Sequence, residues 1–192
     1  VKVLIVGNGG REHAIAWKLH QSIDVDKIFV APGNPGTTQT ACNVPIEPIN
    51  IEDILSFALR EQIDITVVGP EAPLAAGIAD RFEEEGLLLF GPTKNAALIE
   101  SSKGFAKDLM LRHGIPTATS KIFSAYAPAC EYALECTFPI VIKADGLAAG
   151  KGVSVCSSVE EALKNTKEIL AGKFKTSNNV VLEEFLKGEE LS

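Results

Sequence analysis

The chain has 192 residues, 46% of them hydrophobic and 22% charged, with 18 Lys+Arg against 25 Asp+Glu for a net charge of −7. That length admits one large domain or one and a half smaller ones, and the balance is ordinary for a soluble globular enzyme. The basic residues form no cluster, which argues against a nucleic-acid-binding surface, since neutralising a phosphate backbone needs a concentrated basic face. Small phosphorylated ligands stay open, because a few local donors suffice for them.

Cys42, Cys130, Cys136 and Cys156 make no CxxC pair and have no His at zinc-ligand spacing, so four reduced thiols are expected rather than a metal site or a disulfide framework. The opening run VKVLIVGNGG is too short for a signal peptide, and nothing approaches the roughly 20 apolar residues of a membrane span. A cytoplasmic protein without membrane contact is expected.

In chain order, Val3 to Val6 is a continuous apolar run, as in a strand buried on both faces. A helix is predicted over Arg11 to His20, with Trp17 in the core and His13 and His20 on one face as packing or surface residues. Lys27 to Val30 is the next strand, closed by PGNPG (32–36). Asn50, with Asp53 three residues on, reads as the N-cap of a helix carrying Ile51, Ile54, Leu55, Ala58 and Leu59 at helical spacing. Ile65 to Val68 forms a third strand ending in GPEAP (69–73). A helix through Ile78 and Phe82 leads to a strand over Leu87 to Phe90. Strand–helix alternation implies a parallel, doubly wound α/β sheet, whose ligands sit beyond the carboxyl ends of its strands.

After Pro92 the pattern changes. Helical stretches at Asn95–Glu100 and Lys103–His113 precede the turn GIP (114–116). Strands are predicted at Lys121–Phe123, Pro139–Lys143, Val153–Cys156 and Val180–Phe185. Helices are predicted at Pro128–Glu135 and Val159–Leu170, the latter with a Ser158/Glu161 capping box. This is a smaller α+β unit. The expected division is 1–102 for the doubly wound domain, 103–120 for a helix and linker, and 121–192 for the α+β part.

Three clusters carry chemistry. Gly7-Asn8-Gly9-Gly10-Arg11-Glu12-His13 follows a strand and opens a helix, so bare N–H groups, a helix N-terminus and Arg11 meet as an anion site; glycines that only turn tightly are the other reading. A dinucleotide fingerprint fails twice here. Its third glycine would stand at Glu12, and the second strand ends Val30-Ala31-Pro32-Gly33 without a ribose-binding carboxylate. The second cluster, Lys143 to Val153 (KADGLAAGKGV), is not a Walker A loop, because Lys151 precedes Gly152 rather than Ser or Thr. A strand–loop–strand hairpin tipped with small residues can instead fold over phosphates as a lid, with Lys143 aimed at the same phosphates and Lys151 either touching them or only solvating the loop. The third cluster, Glu183 to Glu190, is a solvated acidic face on charge alone. It ends an apolar strand, and there Glu183 and Glu190 could bracket a nucleoside, the reading set against the solvated face.

The stretches VLIVGNGGREHAIAW, VAPGNPGT, VVGPEAPLAAGI, FGPT, ESSKGFAKD, HGIPTA, IVIKADGLAAGKGV and VLEEFLKGEELS together closely resemble the glycinamide ribonucleotide synthetase (phosphoribosylamine–glycine ligase) family of ATP-grasp ligases. The resemblance implies a pre-ATP-grasp first domain followed by the small ATP-grasp subdomain. It implies ligation of glycine to 5-phosphoribosylamine with ATP and Mg2+. It assigns Lys103, Lys143, Gly146, Gly150, Lys151, Gly152, Glu183, Glu184, Phe185, Leu186 and Glu190 to ATP, with Lys103 and Lys143 on phosphates, Glu183 and the Leu186 backbone at adenine and Glu190 at the ribose. It assigns Gly9, Gly10, Arg11, Glu12 and Glu71 to the phosphoribosylamine side. Family members are longer, so the catalytic residues, Mg2+ ligands and glycine site are expected beyond Ser192, with no metal ligand in these residues and no turnover by them alone. An exposed apolar edge along Val180–Phe185 is expected for the same reason. In some family members the activity is fused to further purine-pathway modules. A different ATP-grasp carboxylate–amine ligase, or a nucleotide-binding fragment without chemistry, are the competing readings.

Overall fold

The computed structural model describes residues 1–148, 150–174, 179–189 and 191. They divide into two compact units, Val1–Ala97 and Leu98–Ser192.

The first unit runs β1 (Lys2–Gly7), α1 (Gly10–Leu19), β2 (Lys27–Pro32), a 3-10 turn (Thr37–Gln39), β3 (Cys42–Asn43), α2 (Ile51–Glu61), β4 (Ile65–Val68), α3 (Glu71–Ala76), α4 (Ile78–Glu84) and β5 (Leu89–Phe90). All pairings in its sheet are parallel, in the order β3-β2-β1-β4-β5. Strand alternation explains the two-sided core. Leu4, Val6 and Phe29 pack with Ile54, Leu55, Ala58, Ile78 and Phe82 on one face. Val3, Ile5, Ile28 and Val30 pack with Ala16, Ile15 and Leu19 of α1 on the other. The order reverses between β1 and β4, and such a switch point opens the ligand crevice at the carboxyl ends of the strands.

Several local expectations are corrected. Trp17 is 55% exposed, because the inward stripe of α1 runs through Glu12, Ile15, Ala16 and Leu19 and leaves residue 17 facing out. Leu59 likewise faces outward from α2. Asn50 precedes α2 but makes no side-chain capping bond; only its carbonyl joins the helix, accepting from the Ile54 N–H at 3.1 Å. The strand expected from Leu87 starts at Leu89, since the Leu87 N–H closes the end of α4 on the Phe82 carbonyl at 3.0 Å.

Helix α5 (Lys94–Ser101) crosses the division between the units. The second unit then runs α6 (Lys103–Arg112), β6 (Ser120–Phe123), α7 (Tyr126–Glu135), β7 (Ile140–Ala144), β8 (Val153–Cys156), α8 (Val159–Leu170) and β9 (Val180–Glu184). Its sheet is antiparallel, in the order β6-β9-β7-β8. Helices α7 and α8 cover one face, where Ala129, Ala133, Ile140, Ile142, Cys156, Ala162, Ile169, Val180 and Leu182 form the core. Strand β9 therefore lies between β6 and β7, with Val180, Val181 and Leu182 fully buried, which overturns the expected exposed edge at Val180–Phe185. The edges are β6 and β8, and Val153 and Val155 of β8 are half-exposed on the face away from α7 and α8. At α8 the Ser158 Oγ accepts the Glu161 N–H at 3.3 Å, but Glu161 Oε2 takes the N–H of Ser157 at 2.8 Å, one residue ahead of the expected box. Among the described residues no helix is long and apolar enough to cross a membrane.

Candidate functional site

Each unit gathers several of its predicted residues at one place. In the second unit, the alternation of β7 sends Ile140, Ile142 and Ala144 into the core and Val141 and Lys143 to the opposite face. The register pairs Lys143 with Val181 and Val141 with Glu183, so Lys143 and Glu183 are diagonal neighbours on that face. Their side chains meet at 2.6 Å, Lys143 Nζ to Glu183 Oε2. Helix α6 adds Lys103 and, one turn later, Lys107. A cavity of about 300 Å³ opens there, lined by Ile99, Glu100, Lys103, Ala106, Lys107, Met110, Thr117, Lys143 and Glu183.

Lys107 went unnoticed in the sequence and is nonetheless only 7% exposed. Its ammonium donates to Thr117 Oγ1 at 2.8 Å and to the Ala118 carbonyl at 2.9 Å, and stands 3.4 Å from Glu183 Oε1. Glu183, 5% exposed, thus lies between two ammonium groups. A buried carboxylate needs such partners, because desolvation alone strongly disfavours its charge. The one available signal was spacing: Lys103 and Lys107 stand four residues apart, on one helix face.

The glycine loop is the connection of the β7–β8 hairpin. Its first residues are fastened to the start of α6. Asp145 Oδ1 accepts the Gly104 N–H at 3.1 Å, Ser102 Oγ lies 3.3 Å from the same oxygen, and Lys103 Nζ donates to the Gly146 carbonyl at 2.8 Å. Asp145 and Ser102 were also unmarked in the sequence. Gly146 and Gly150 have φ of 96° and 74°, a left-handed backbone that other residues adopt only under strain. Gly152 is buried, and a methyl group there would come within 2.5 Å of the Ala148 Cβ. Lys151 is exposed at the loop.

At the end of β9 the predicted residues separate. Glu184 turns away from Glu183, and its carboxylate accepts the Thr119 N–H at 2.7 Å. That backbone donor holds the Glu184 carboxyl below its ordinary range. Phe185 and Leu186 follow on the surface, and Glu190 lies outside the described residues.

In the first unit, three loops meet at the carboxyl ends of β1, β2 and β4. The Gly33 N–H donates to the Gly7 carbonyl at 3.2 Å, Asn34 Nδ2 to the Asn8 carbonyl at 3.0 Å, and the Gly69 N–H to the Val6 carbonyl at 3.0 Å. Glu12, 3% exposed, turns inward under these loops and accepts the Gly9 N–H at 2.6 Å through Oε2. Arg11 Nε lies 3.2 Å from its Oε1. Gly7, Gly9 and Gly69 leave the room this side chain fills; a methyl group on Gly69 would overlap Glu12 Oε1. Gly9, Gly10, Arg11 and Glu71 are exposed around the same crevice. A second depression of about 300 Å³, lined in part by His20, Lys27, Thr40 and Cys42, opens at the amino ends of β2 and β3, away from the crevice where such sheets bind ligands.

Known proteins extend this geometry. Residues 1–100 match the family model described as phosphoribosylglycinamide synthetase, N domain, and residues 101–192 match its ATP-grasp (A) domain. A phosphoribosylamine–glycine ligase of Salmonella typhimurium is 53% identical over 196 aligned positions, covering 100% of this chain and 46% of that protein. The crystal structure of the phosphoribosylamine–glycine ligase of Thermotoga maritima superposes with a TM-score of 0.80 at 33% identity, over 98% of this chain and 45% of that one. The fold is shared more widely. The biotin carboxylase domain of Hydrogenobacter thermophilus 2-oxoglutarate carboxylase, solved with MgADP, ADP and bicarbonate, gives a TM-score of 0.79 at 22% identity, over 97% of this chain and 44% of that one. The chain therefore spans about half the length of the relatives it matches. With both halves of its sequence matched in order, the chain belongs to the phosphoribosylglycinamide synthetase family.

Proposed function

We infer that the whole protein joins glycine to 5-phosphoribosylamine, with ATP giving ADP and phosphate, through a glycyl phosphate that the amine attacks to form glycinamide ribonucleotide. The observation that carries this reading is the meeting of Lys103 and Lys143, from different elements, at one cavity beside a glycine loop, in a chain about half identical to ligases of that name. ATP phosphorylates the glycine carboxylate, and the protein contributes placement and charge stabilisation rather than a covalent nucleophile.

Lys103 and Lys143 take the phosphates of ATP, and the loop from Gly146 through Gly150, Lys151 and Gly152 covers them with backbone N–H groups. Glu183, Glu184, Phe185, the Leu186 backbone and Glu190 serve the nucleoside end. In the first unit the exposed Gly10 backbone and Arg11 take the phosphate of phosphoribosylamine, with Glu71 beside them, Gly9 making the turn with its N–H held by Glu12, and Glu12 shaping the loop from beneath. Among the described residues no group of three or more His, Cys, Asp or Glu is arranged to hold a metal ion. Ligands for the Mg2+ that accompanies ATP are assigned to the part of the relatives that this chain does not span. A cytoplasmic setting suits this chemistry and the four free thiols.

The test is ADP release by the full-length protein with Mg-ATP, omitting glycine and phosphoribosylamine in turn. Release that requires both, and that falls at least tenfold in Lys143→Ala, the scale of a lost hydrogen bond to a charged group, is the expected result. Release with another carboxylate or amine keeps the ATP-grasp chemistry and rejects the substrate assignment.

A further inference from the structure

We propose that Lys107 is a positioning residue of the nucleotide site: it is the standing counter-ion of Glu183, which frees the Lys143 ammonium to be shared with a phosphate. This role rests on the nucleotide-binding reading above and adds to it a residue that touches no ligand.

The two lysines on Glu183 are not equivalent. An ammonium has three N–H donors, and Lys107 faces three acceptors: Thr117 Oγ1 at 2.8 Å, the Ala118 carbonyl at 2.9 Å and Glu183 Oε1 at 3.4 Å. Its side chain is 9% exposed. Both hydrogen-bond acceptors are in the segment just before β6, so two of the three Lys107 donors are tied to that segment and the ammonium is held in place as an ion-pair partner of Glu183. Lys143 has one bond among the described residues, to Glu183 Oε2, and its side chain is 26% exposed at the cavity. One lysine is interior and held by two hydrogen bonds, the other is more exposed and held by one.

The buried carboxylate gives this asymmetry its purpose. If Lys143 were its sole counter-ion, drawing that ammonium toward a phosphate would strip the buried Glu183 carboxylate of compensation, which is costly. With Lys107 held against the other carboxylate oxygen, Lys143 can divide its donors between Glu183 and an incoming phosphate. Glu183 then fixes where Lys143 points, and Lys107 fixes Glu183.

The experiment measures ADP affinity of the full-length protein by titration calorimetry, for the wild type, Lys107→Met, Lys107→Arg, Glu183→Gln and the Lys107→Met/Glu183→Gln double variant. Lys107→Met is expected to weaken ADP binding roughly tenfold or more, as loss of a hydrogen bond to a charged group does, with Lys107→Arg restoring most of it. In the Glu183→Gln background the Lys107→Met change should add little, because a neutral amide needs no counter-ion. Lys107→Gln, which keeps a neutral donor, gives the same reading should the Met variant not fold. Unchanged ADP affinity in Lys107→Met overturns the role. So does an equal loss in both backgrounds, which would mark Lys107 as a packing residue acting through Thr117 and Ala118. Wild-type protein that binds no ADP overturns the nucleotide reading and this role with it.

Discussion

Glu12 brings a carboxylate to the position where a dinucleotide-binding loop keeps its third glycine for close helix–strand packing. The chain reverses that arrangement: the room is left by Gly7, Gly9 and Gly69, and the side chain fills it. One consequence is chemical. The Gly9 N–H is already donated to Glu12 Oε2 at 2.6 Å, so an anion at this loop meets the remaining amides and Arg11, and a pyrophosphate drawn close over Gly9 would face a buried negative charge. A second consequence is steric and can be tested. Gly69 does not have a positive φ, so alanine there meets no backbone strain, only the overlap with Glu12. Gly69→Ala should destabilise the full-length protein by about 1–3 kcal/mol, the usual cost of overpacking, read as a fall in the urea midpoint. In a Glu12→Ala background the same change should cost much less, since the obstructing atoms are gone. Equal costs in both backgrounds would place the strain elsewhere.

Elements were more legible than the partners of their side chains. The β7–β8 hairpin was readable because two apolar runs flank a stretch too rich in small residues to be anything but a connection. Lys143 stood out at its start. Lys107 and Asp145 did not, because a lysine on a helix or an Asp before a glycine is ordinary until a fold brings Glu183 or the α6 N-terminus beside it. Position within a sheet was similarly hidden. The run Val180 to Leu182 suits a central or an edge strand alike, and pairing β9 with both β6 and β7 is a long-range event. Trp17 shows the converse: an aromatic in an amphipathic helix is pulled to the core only if the stripe passes through it. Capping was half legible. Ser158 does cap α8, whereas Asn50 leaves α2 without a side-chain bond. Ser158→Ala should therefore cost the α8 start about 1 kcal/mol, seen as a roughly fivefold rise in hydrogen exchange of the α8 amides. Ser158→Asp should keep protection, because an Asp oxygen replaces the hydroxyl as acceptor. Faster exchange in both variants would assign the effect to something other than the cap.

For the molecule as a whole, the two units hold separate sets of polar residues: Arg11 beside Glu12 in the first, Lys143 on Glu183 in the second. A ligase of the inferred kind needs one region to recognise the phosphate of the amine and another to hold the nucleotide. Removing a residue of either region should then give a distinct kinetic signature. Arg11→Ala should raise the KM for phosphoribosylamine roughly tenfold or more, the scale of a charge-assisted hydrogen bond, while ADP affinity stays at the wild-type level. Lys143→Ala should weaken ADP binding and lower ADP release at saturating amine. The double variant should show the sum of the two free-energy changes, as independent sites do. Loss of ADP affinity in Arg11→Ala equal to that in Lys143→Ala would contradict this division, because Arg11 would then act on the nucleotide and the crevice of the first unit would need a different ligand.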